Sequence, residues 1–258
     1  MAWRCGVGKF TDMSTKALEN QKALVTGATS GIGRAIAVRF AQEGATVYVT
    51  GRRAELGKET VELVEQAGGT AHLVVADIGD LDDVRRLARE VGDVDVLVNN
   101  AAIFPFSPTP DQPVETYDKI FDVNVRGAYF LTSALVPAMV AKGRGVIVNV
   151  SSVAGQIGSA TGSVYHASKA AMDGLTRSWA VEFGAAGVRV NSVAPGPIRT
   201  DAAVEQAREV FETFAASVPL TRAGEPEEIA EAVLFLASAR SSFITGAVLN
   251  ADGGLVVA

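Results

Sequence analysis

The chain has 258 residues, with 23 Lys and Arg against 29 Asp and Glu, a net charge of −6 and 48% hydrophobic residues. That length suits one large α/β core better than two domains, and an acidic balance without a run of Lys and Arg argues against nucleic acid or an anionic membrane surface as a partner, leaving a small molecule. Cys5 is the only cysteine and His72 and His166 the only histidines, so neither a disulfide framework nor a cysteine-rich zinc site is on offer, no metal is expected, and a reducing cytoplasm is the simplest compartment.

Residues 1–20 read as an N-terminal extension, poorly ordered at its start, before a single domain over 21–258. Charges at Arg4, Lys9, Asp12 and Lys16 interrupt it, unlike a secretory signal. Its first part, up to about Asp12, is expected to be dispensable, although Trp3 and Phe10 could instead dock on a neighbouring subunit. Short β-branched runs at Ala23–Thr26, Thr46–Thr50, Leu73–Ala76, Val94–Val98, Val146–Val150, Val188–Val193 and Ala247–Leu249 predict buried strands. Amphipathic patterns over Arg34–Gln42, Glu55–Gln66, Asp82–Val91, Tyr117–Val140, Tyr165–Phe183 and Pro226–Leu236 predict helices between them. Strand alternating with helix means an α/β fold, a Rossmann-type doubly wound parallel sheet of about seven strands with helices on both faces. The uncharged stretch Gly127–Ala141 is shorter than a membrane span and reads as a buried helix. Two segments escape the rhythm, Ile103–Pro113 and Ile198–Arg222. Both follow the carboxyl ends of strands, where ligands of open α/β sheets bind, and so become candidate substrate walls.

The first strand runs into Gly27-Ala28-Thr29-Ser30-Gly31-Ile32-Gly33, with a helical pattern after it. A glycine turn feeding a helix N-terminus offers free N–H groups and a positive dipole end to a pyrophosphate, and lets backbone approach it closely. Arg52 and Arg53 follow the second strand, where an acidic residue would favour ribose hydroxyls and an arginine can pair with a 2′-phosphate. The same two arginines could also be a solvated pair opening a helix. Asp77 closes the third strand ahead of Ile78 and could accept from an adenine amino group or cap the helix beginning near Asp80. Asn99 and Asn100 end the fourth, placed to tie strand ends together.

Tyr165 and Lys169 lie one helical turn apart, so both project from one face. Bringing a phenol from about 10 into the neutral range takes about 4 kcal/mol of preferential phenolate stabilisation, which a neighbouring ammonium can supply in part. The fifth strand delivers Ser151 and Ser152, and Asn124 precedes them. With the glycine turn, Asn99-Asn100-Ala101, Pro195-Gly196 and Asp252-Gly253-Gly254 in the same order, the chain from about Gln21 to Gly254 resembles the short-chain dehydrogenase/reductase (SDR) family, and is similar to the 3-oxoacyl-acyl-carrier-protein reductases. The resemblance implies an NAD(P)-dependent oxidoreductase moving a hydride between nicotinamide C4 and a ketone or secondary alcohol. Tyr165 would be the general acid/base, Lys169 would lower its pKa and hold the nicotinamide ribose, Ser152 would bond the substrate oxygen and Asn124 would anchor a relay water. Cofactor contacts are implied for Gly27, Thr29, Ser30, Gly31, Ile32, Gly33, Arg52, Arg53, Asp77, Ile78, Asn100, Ala101, Ala102, Tyr165, Lys169, Pro195 and Gly196, with Ile198 and Thr200 against the carboxamide.

Some residues depart from the family pattern. Ala102 stands where glycine is usual, and Ser30 where many NADP-binding members are basic, so Arg52 would carry an NADP(H) preference with less help. His166, beside the tyrosine, is expected on a different, surface face of its helix. Phe104, Phe106, Ile157 and the segment from Ala202 to Val218 are expected to line the substrate pocket, their apolar content suiting a non-ionic portion of substrate. The leading expectation is a carbonyl reductase using NADP(H), NAD(H) being possible. An oxidative sugar, polyol or steroid dehydrogenase is the alternative, because loops fix the substrate. A non-enzymatic dinucleotide sensor is more remote, since such proteins lose the tyrosine or lysine kept here. The resemblance also implies a homotetramer pairing the helices of Asn124 and Tyr165, with Ala170, Ala171, Leu175 and Ala180 permitting close approach.

Overall fold

The structure, a computed structural model, describes residues 16–258, the side chains at 202 and 204–207 excepted. The expectations for Trp3, Phe10 and the first twelve positions lie outside the described residues. Seven strands appear: β1 (Lys22–Thr26), β2 (Thr46–Gly51), β3 (Thr70–Val75), β4 (Val96–Asn99), β5 (Gly145–Val150), β6 (Val188–Pro195) and β7 (Val248–Ala251). They form one parallel sheet in the order β3-β2-β1-β4-β5-β6-β7. The helices are α1 (Gly31–Gln42), α2 (Ala54–Gln66), α3 (Leu81–Val91), α4 (Val114–Phe121), α5 (Ala128–Lys142), α6 (Ser163–Gly184), α7 (Asp201–Ser217) and α8 (Pro226–Ala237).

Alternating strand residues fill two cores. Ala23 and Val25 of β1, Val96 and Val98 of β4, and Val148 of β5 face Ile36 and Phe40 of α1 and Ile229 and Val233 of α8. Their neighbours Leu24, Leu97 and Ile147 face Leu87 of α3, Leu131, Leu135 and Met139 of α5 and Trp179 of α6. Burial of both faces is what makes these strands continuously apolar. Helix ends are chemically marked: Asp80 caps α3 by accepting from the Asp82 and Asp83 N–H groups, and a Glu225–Glu228 capping box with Pro226 opens α8.

Three expectations change. The helix foreseen over Tyr117–Val140 is a rod from Val114 to Lys142, interrupted by a π turn at Asp122–Gly127. The rod is long and apolar enough to span a membrane by composition alone, but half of its apolar stretch is buried against the protein, as a core helix requires. Gly127 inside the π turn sits where a Cβ would strike the Ile78 carbonyl, so close packing against the β3–α3 connection needs glycine there. The segment Ile198–Arg222 is not irregular: it contains α7, opened by a Thr200 side chain that accepts from the Ala203 N–H at 3.3 Å. Asp77 does not cap α3, since Asp80 does; the Asp77 carboxylate accepts from the Gly79 N–H at 2.8 Å.

Candidate active site

The strand order reverses between β1 and β4, and their carboxyl ends form one crevice. Thr26 bolts its floor: the hydroxyl donates to the Val98 carbonyl at 3.2 Å and accepts from the N–H groups of Asn100 (2.9 Å) and Ala101 (3.0 Å). Asn100 returns a side-chain bond to the Thr26 carbonyl at 2.8 Å, and Asn99 bonds Asn149 on β5 at 2.9 Å. The amides after β4 therefore tie three strand ends together. Above this floor Gly27 turns with φ 65°, and a Cβ there would sit 2.8 Å from the Ala101 Cα. A Cβ on Gly33 would strike the Gly27 carbonyl, so this third glycine brings α1 down onto the turn. Ser30 precedes α1 without a side-chain bond into its first turn, so residues 30–33 present N–H groups and the positive end of a helix dipole to the crevice.

At the end of β2 the two arginines divide their work. Arg53 lies over the glycine turn, donating to Ser30 Oγ at 2.6 Å and Thr29 Oγ1 at 3.1 Å. Arg52 is half-exposed and stands 3.6 Å from the Asp77 carboxylate. Ser30, the position without a basic side chain, thus has a guanidinium against it from Arg53.

On the other side of β4, Ser152 leaves β5 and Tyr165 and Lys169 come from the first turns of α6. The buried Lys169 ammonium donates to the Val150 carbonyl at 2.9 Å and lies 5.8 Å from the centre of the Tyr165 ring. Burial pulls Lys169 down to about 8, opposed by Asp173. Burial pushes the Tyr165 phenol up, with a bond from Ser152 acting the other way. Of these two, desolvation is the larger.

The Asn124 side chain is fully engaged. Both of its amide hydrogens are committed, to the Ile103 carbonyl (2.9 Å) and Ser168 Oγ (3.0 Å), and its oxygen accepts from the Ile103 N–H (2.8 Å). Its side chain stands behind the cavity wall, joining the β4–α4 loop to α6, and a water held by Asn124 would need its main chain. A π turn at a functional position is a recurrent way of re-aiming backbone. His166 is the reverse case, because it is half-buried and lines the cavity at 6.2 Å from the Tyr165 ring. The helix-face argument missed it because the crevice wraps around the N-terminal end of α6, where adjacent positions both reach it. Asp201, at the start of α7, also lines the cavity and went unremarked with its helix. Its signal was present in the Thr200–Asp201 cap pattern.

These parts meet around one cavity of about 970 Å³. Gly27, Thr29, Ser30, Gly31, Ile32 and Gly33 line one end with Arg52, Arg53, Asp77 and Ile78. Asn100, Ala101, Ala102, Pro195, Gly196, Ile198 and Thr200 line its middle, together with Ser152, Tyr165 and Lys169. Of the residues expected to act, only Asn124 is set back. Phe104 and Phe106 stand edge-on to Tyr165 at 6.2 and 5.8 Å, and Ile157, Val210, Phe211 and Phe214 complete an apolar mouth, as expected of these segments.

A family model described as enoyl-(acyl carrier protein) reductase matches residues 27–256. The chain is 41% identical over 248 residues to 3-oxoacyl-(acyl-carrier-protein) reductase FabG of Thermotoga maritima, covering 93% of this chain and 99% of the relative. The chain belongs to the short-chain dehydrogenase/reductase family. A solved structure of a short chain dehydrogenase/reductase family protein shares 52% identity with this SDR at a TM-score of 0.89, covering 94% and 100% of the two chains. A chain from Agrobacterium tumefaciens solved with bound NADP shares 36% identity at a TM-score of 0.88, over 95% of this chain and 100% of that one. The protein is accordingly an NAD(P)-dependent oxidoreductase that transfers a hydride between nicotinamide C4 and a ketone or secondary alcohol.

Proposed function

We propose that this SDR works as an NADP(H)-dependent carbonyl reductase in which Tyr165 is the general acid, Ser152 the partner of the substrate oxygen and Lys169 the positioning cation. The observation carrying this reading is the single cavity that runs from the glycine turn to Tyr165 and Ser152. A bound nicotinamide supplies the hydride. The residues supply the rest. Ser152 Oγ and the Tyr165 hydroxyl together polarise a carbonyl oxygen and stabilise the charge that grows on it. Tyr165, kept protonated by its burial, then gives its proton to the nascent alkoxide, a far stronger base than a phenolate. The raised phenol suits the reductive direction at neutral pH; alcohol oxidation needs the phenolate and is favoured as pH rises. Lys169, fixed by the Val150 carbonyl, would hold a ribose hydroxyl. Asn124 acts on this set from behind, by locking the loop of Ile103 to α6.

The NADP(H) preference rests on Arg52 and Arg53, two guanidiniums beside the turn at the end of β2, where a 2′-phosphate can form charge-assisted bonds. Asp77 lines the same end and is free at one carboxylate oxygen for an adenine amino group apart from its loose pairing with Arg52. The assembly we propose is a homotetramer in the cytoplasm. Exposed Tyr129, Phe130 and Val140 of α5 and Val181 of α6 form an apolar surface that an antiparallel helix pair would cover. Ala170 belongs to that outer face, whereas Ala180 is buried in its own core with Leu175 packed there, so close approach cannot depend on those two. Light scattering at micromolar concentration checks the mass. The reaction is tested by following dinucleotide absorbance with ketones and secondary alcohols and with each cofactor: faster ketone reduction with NADPH at pH 7 is expected, and faster alcohol oxidation with NAD at that pH would reverse the assignment.

A further inference from the structure

The substrate mouth has a charge pattern that the reaction does not require. Its walls are Phe104, Phe106 and Ile157 on one side and Val210, Phe211 and Phe214 of α7 on the other. Phe106, Val210 and Phe214 are 50%, 70% and 41% exposed, an apolar rim open to solvent rather than part of either core. Hydroxyls at Ser159 and Thr161 add polarity without charge. Among the described residues, the cations bordering the cavity lie off these walls. Arg52 and Arg53 lie at the end of β2, and the Lys169 ammonium is tied to the Val150 carbonyl beside Tyr165. Arg199, next in sequence to the mouth, is not a wall residue and is consumed by Glu212 at 2.5 and 3.2 Å and by Glu225 at 3.5 Å. His166 carries an imidazole whose pKa burial lowers. Among the described residues, the charged side chain that α7 adds to the cavity lining is negative, the Asp201 carboxylate at its start.

An anion entering an apolar cleft loses hydration that only a paired cation or several donors restore. Here it meets aromatic edges and a carboxylate. We propose that this mouth selects uncharged, largely apolar ketones and secondary alcohols, with flat or cyclic skeletons gripped between the Phe104–Phe106 pair and α7, and rejects those bearing a carboxylate or phosphate near the reacting carbon. The proposal rests on the carbonyl–alcohol reaction above and names the substrate class for that site. Aromatic walls grip a flat ring through area and edge contacts without asking for charge. Specificity of this kind comes as much from the repelled ligand as from the accepted one.

The test compares three cyclic ketones on one skeleton, cyclohexanone, 4-oxocyclohexanecarboxylate and its methyl ester, by kcat/KM with the full chain at saturating NADPH. The ester controls for size. The ketone and the ester should agree within about fivefold and the carboxylate should fall at least about tenfold below the ester, a change of about 1.4 kcal/mol. Asp201→Asn and, separately, the rim substitution Phe214→Arg should narrow that gap by raising carboxylate turnover. A carboxylate used as well as its ester by the wild type overturns the proposal, as does a gap that neither variant moves. Turnover confined to anionic ketones in a wider panel would overturn the substrate class while leaving the reductase reading intact. Absence of turnover of any ketone or secondary alcohol with either dinucleotide would overturn that reading itself.

Discussion

The two ends of the cavity are built on opposite plans. The dinucleotide end, from β1 through β4, is made of short turns, backbone N–H groups and small residues pressed together: Thr26, Gly27, Gly33 and Asn100 touch across strand ends with no room for one more carbon. The substrate end is made of longer segments, the β4–α4 loop and α7, that present Phe104, Phe106, Val210 and Phe214 to open space. A phosphate needs fixed dipoles at fixed distances, so its site tolerates little variation. A substrate mouth needs only area and shape, so its residues can change without disturbing the sheet. Between them stand Ser152, Tyr165 and Lys169 on β5 and α6, belonging to neither plan and serving both.

Substitutions can separate these three zones. The largest effect is expected at the junction: Tyr165→Phe should lower kcat by about 10²–10⁴-fold while dinucleotide affinity, read by fluorescence titration, stays within about threefold. Residual turnover above about a tenth of wild type would remove Tyr165 from the proton-transfer role. Next, Arg52→Asp should weaken NADPH binding by about 10–100-fold with little change for NADH, because a charge-assisted contact becomes repulsion. Arg53→Ala should loosen both dinucleotides, since that side chain also braces Ser30 and Thr29. Wild-type protein binding NADH more tightly than NADPH in the same titration would defeat the NADP(H) assignment.

Smaller effects distinguish the tight end from the open one. Gly33→Ala should reduce dinucleotide affinity about tenfold and destabilise the fold by about 1–3 kcal/mol, as its Cβ overpacks the Gly27 turn. The comparison is Gly174→Ala on α6, where a Cβ meets nothing within 4 Å. That change should stabilise by about 0.5–1 kcal/mol through helix propensity alone. At the mouth, Gly162→Ala places a Cβ against the Phe106 ring on a backbone with φ 80°. It should alter KM for the ketone by about threefold to tenfold and leave dinucleotide affinity alone. A changed dinucleotide affinity would show that the two ends are not independent.

The junction also has a pH signature in the dinucleotide-free protein. Lys169 is held at about 8, below the value of about 10.4 in an unfolded chain. Between those values the unfolded state binds more protons, so this lysine makes stability rise with pH, its desolvation penalty being fully present below about 8 and relieved towards 10. Relative to Lys169→Met, the wild type should therefore gain on the order of 1–3 kcal/mol of unfolding free energy from pH 8 to pH 10. A gap that narrows in the opposite sense would show that the ammonium is not desolvated. Tyr165, pushed up by burial, acts against folding only at higher pH, where the unfolded phenol ionises first.

How far the sequence discloses these zones follows from what holds each one. Strands buried on both faces announce themselves by continuous β-branched runs, and all seven were legible. The beginning of β3 was not, because Thr70 and His72 lie exposed on the edge strand and break the apolar run that marks Leu73 onward. The glycine turn was legible because glycine there answers a steric demand, positive φ at Gly27 and close approach at Gly33. α7 was hidden because apolar residues such as Val210 and Phe214 serve the cavity rather than the sheet, so they do not form the core-facing stripe that periodicity detects.

By itself the sequence determined the doubly wound sheet and the glycine turn, which are consequences of local pattern, period and turn chemistry. The hydroxyl, phenol and ammonium groups after β5 and on α6 were singled out by the resemblance to the family, since spacing along one helix face leaves them open. Tertiary structure alone decided which way the shared groups are pulled. It half-buries Tyr165 and raises its phenol, spends the Asn124 amide on Ile103 and Ser168, brings Arg53 onto Ser30, and turns His166 inward. Each of these depends on desolvation or on partners remote in the chain, and neither quantity is carried by the spacing of residues along it.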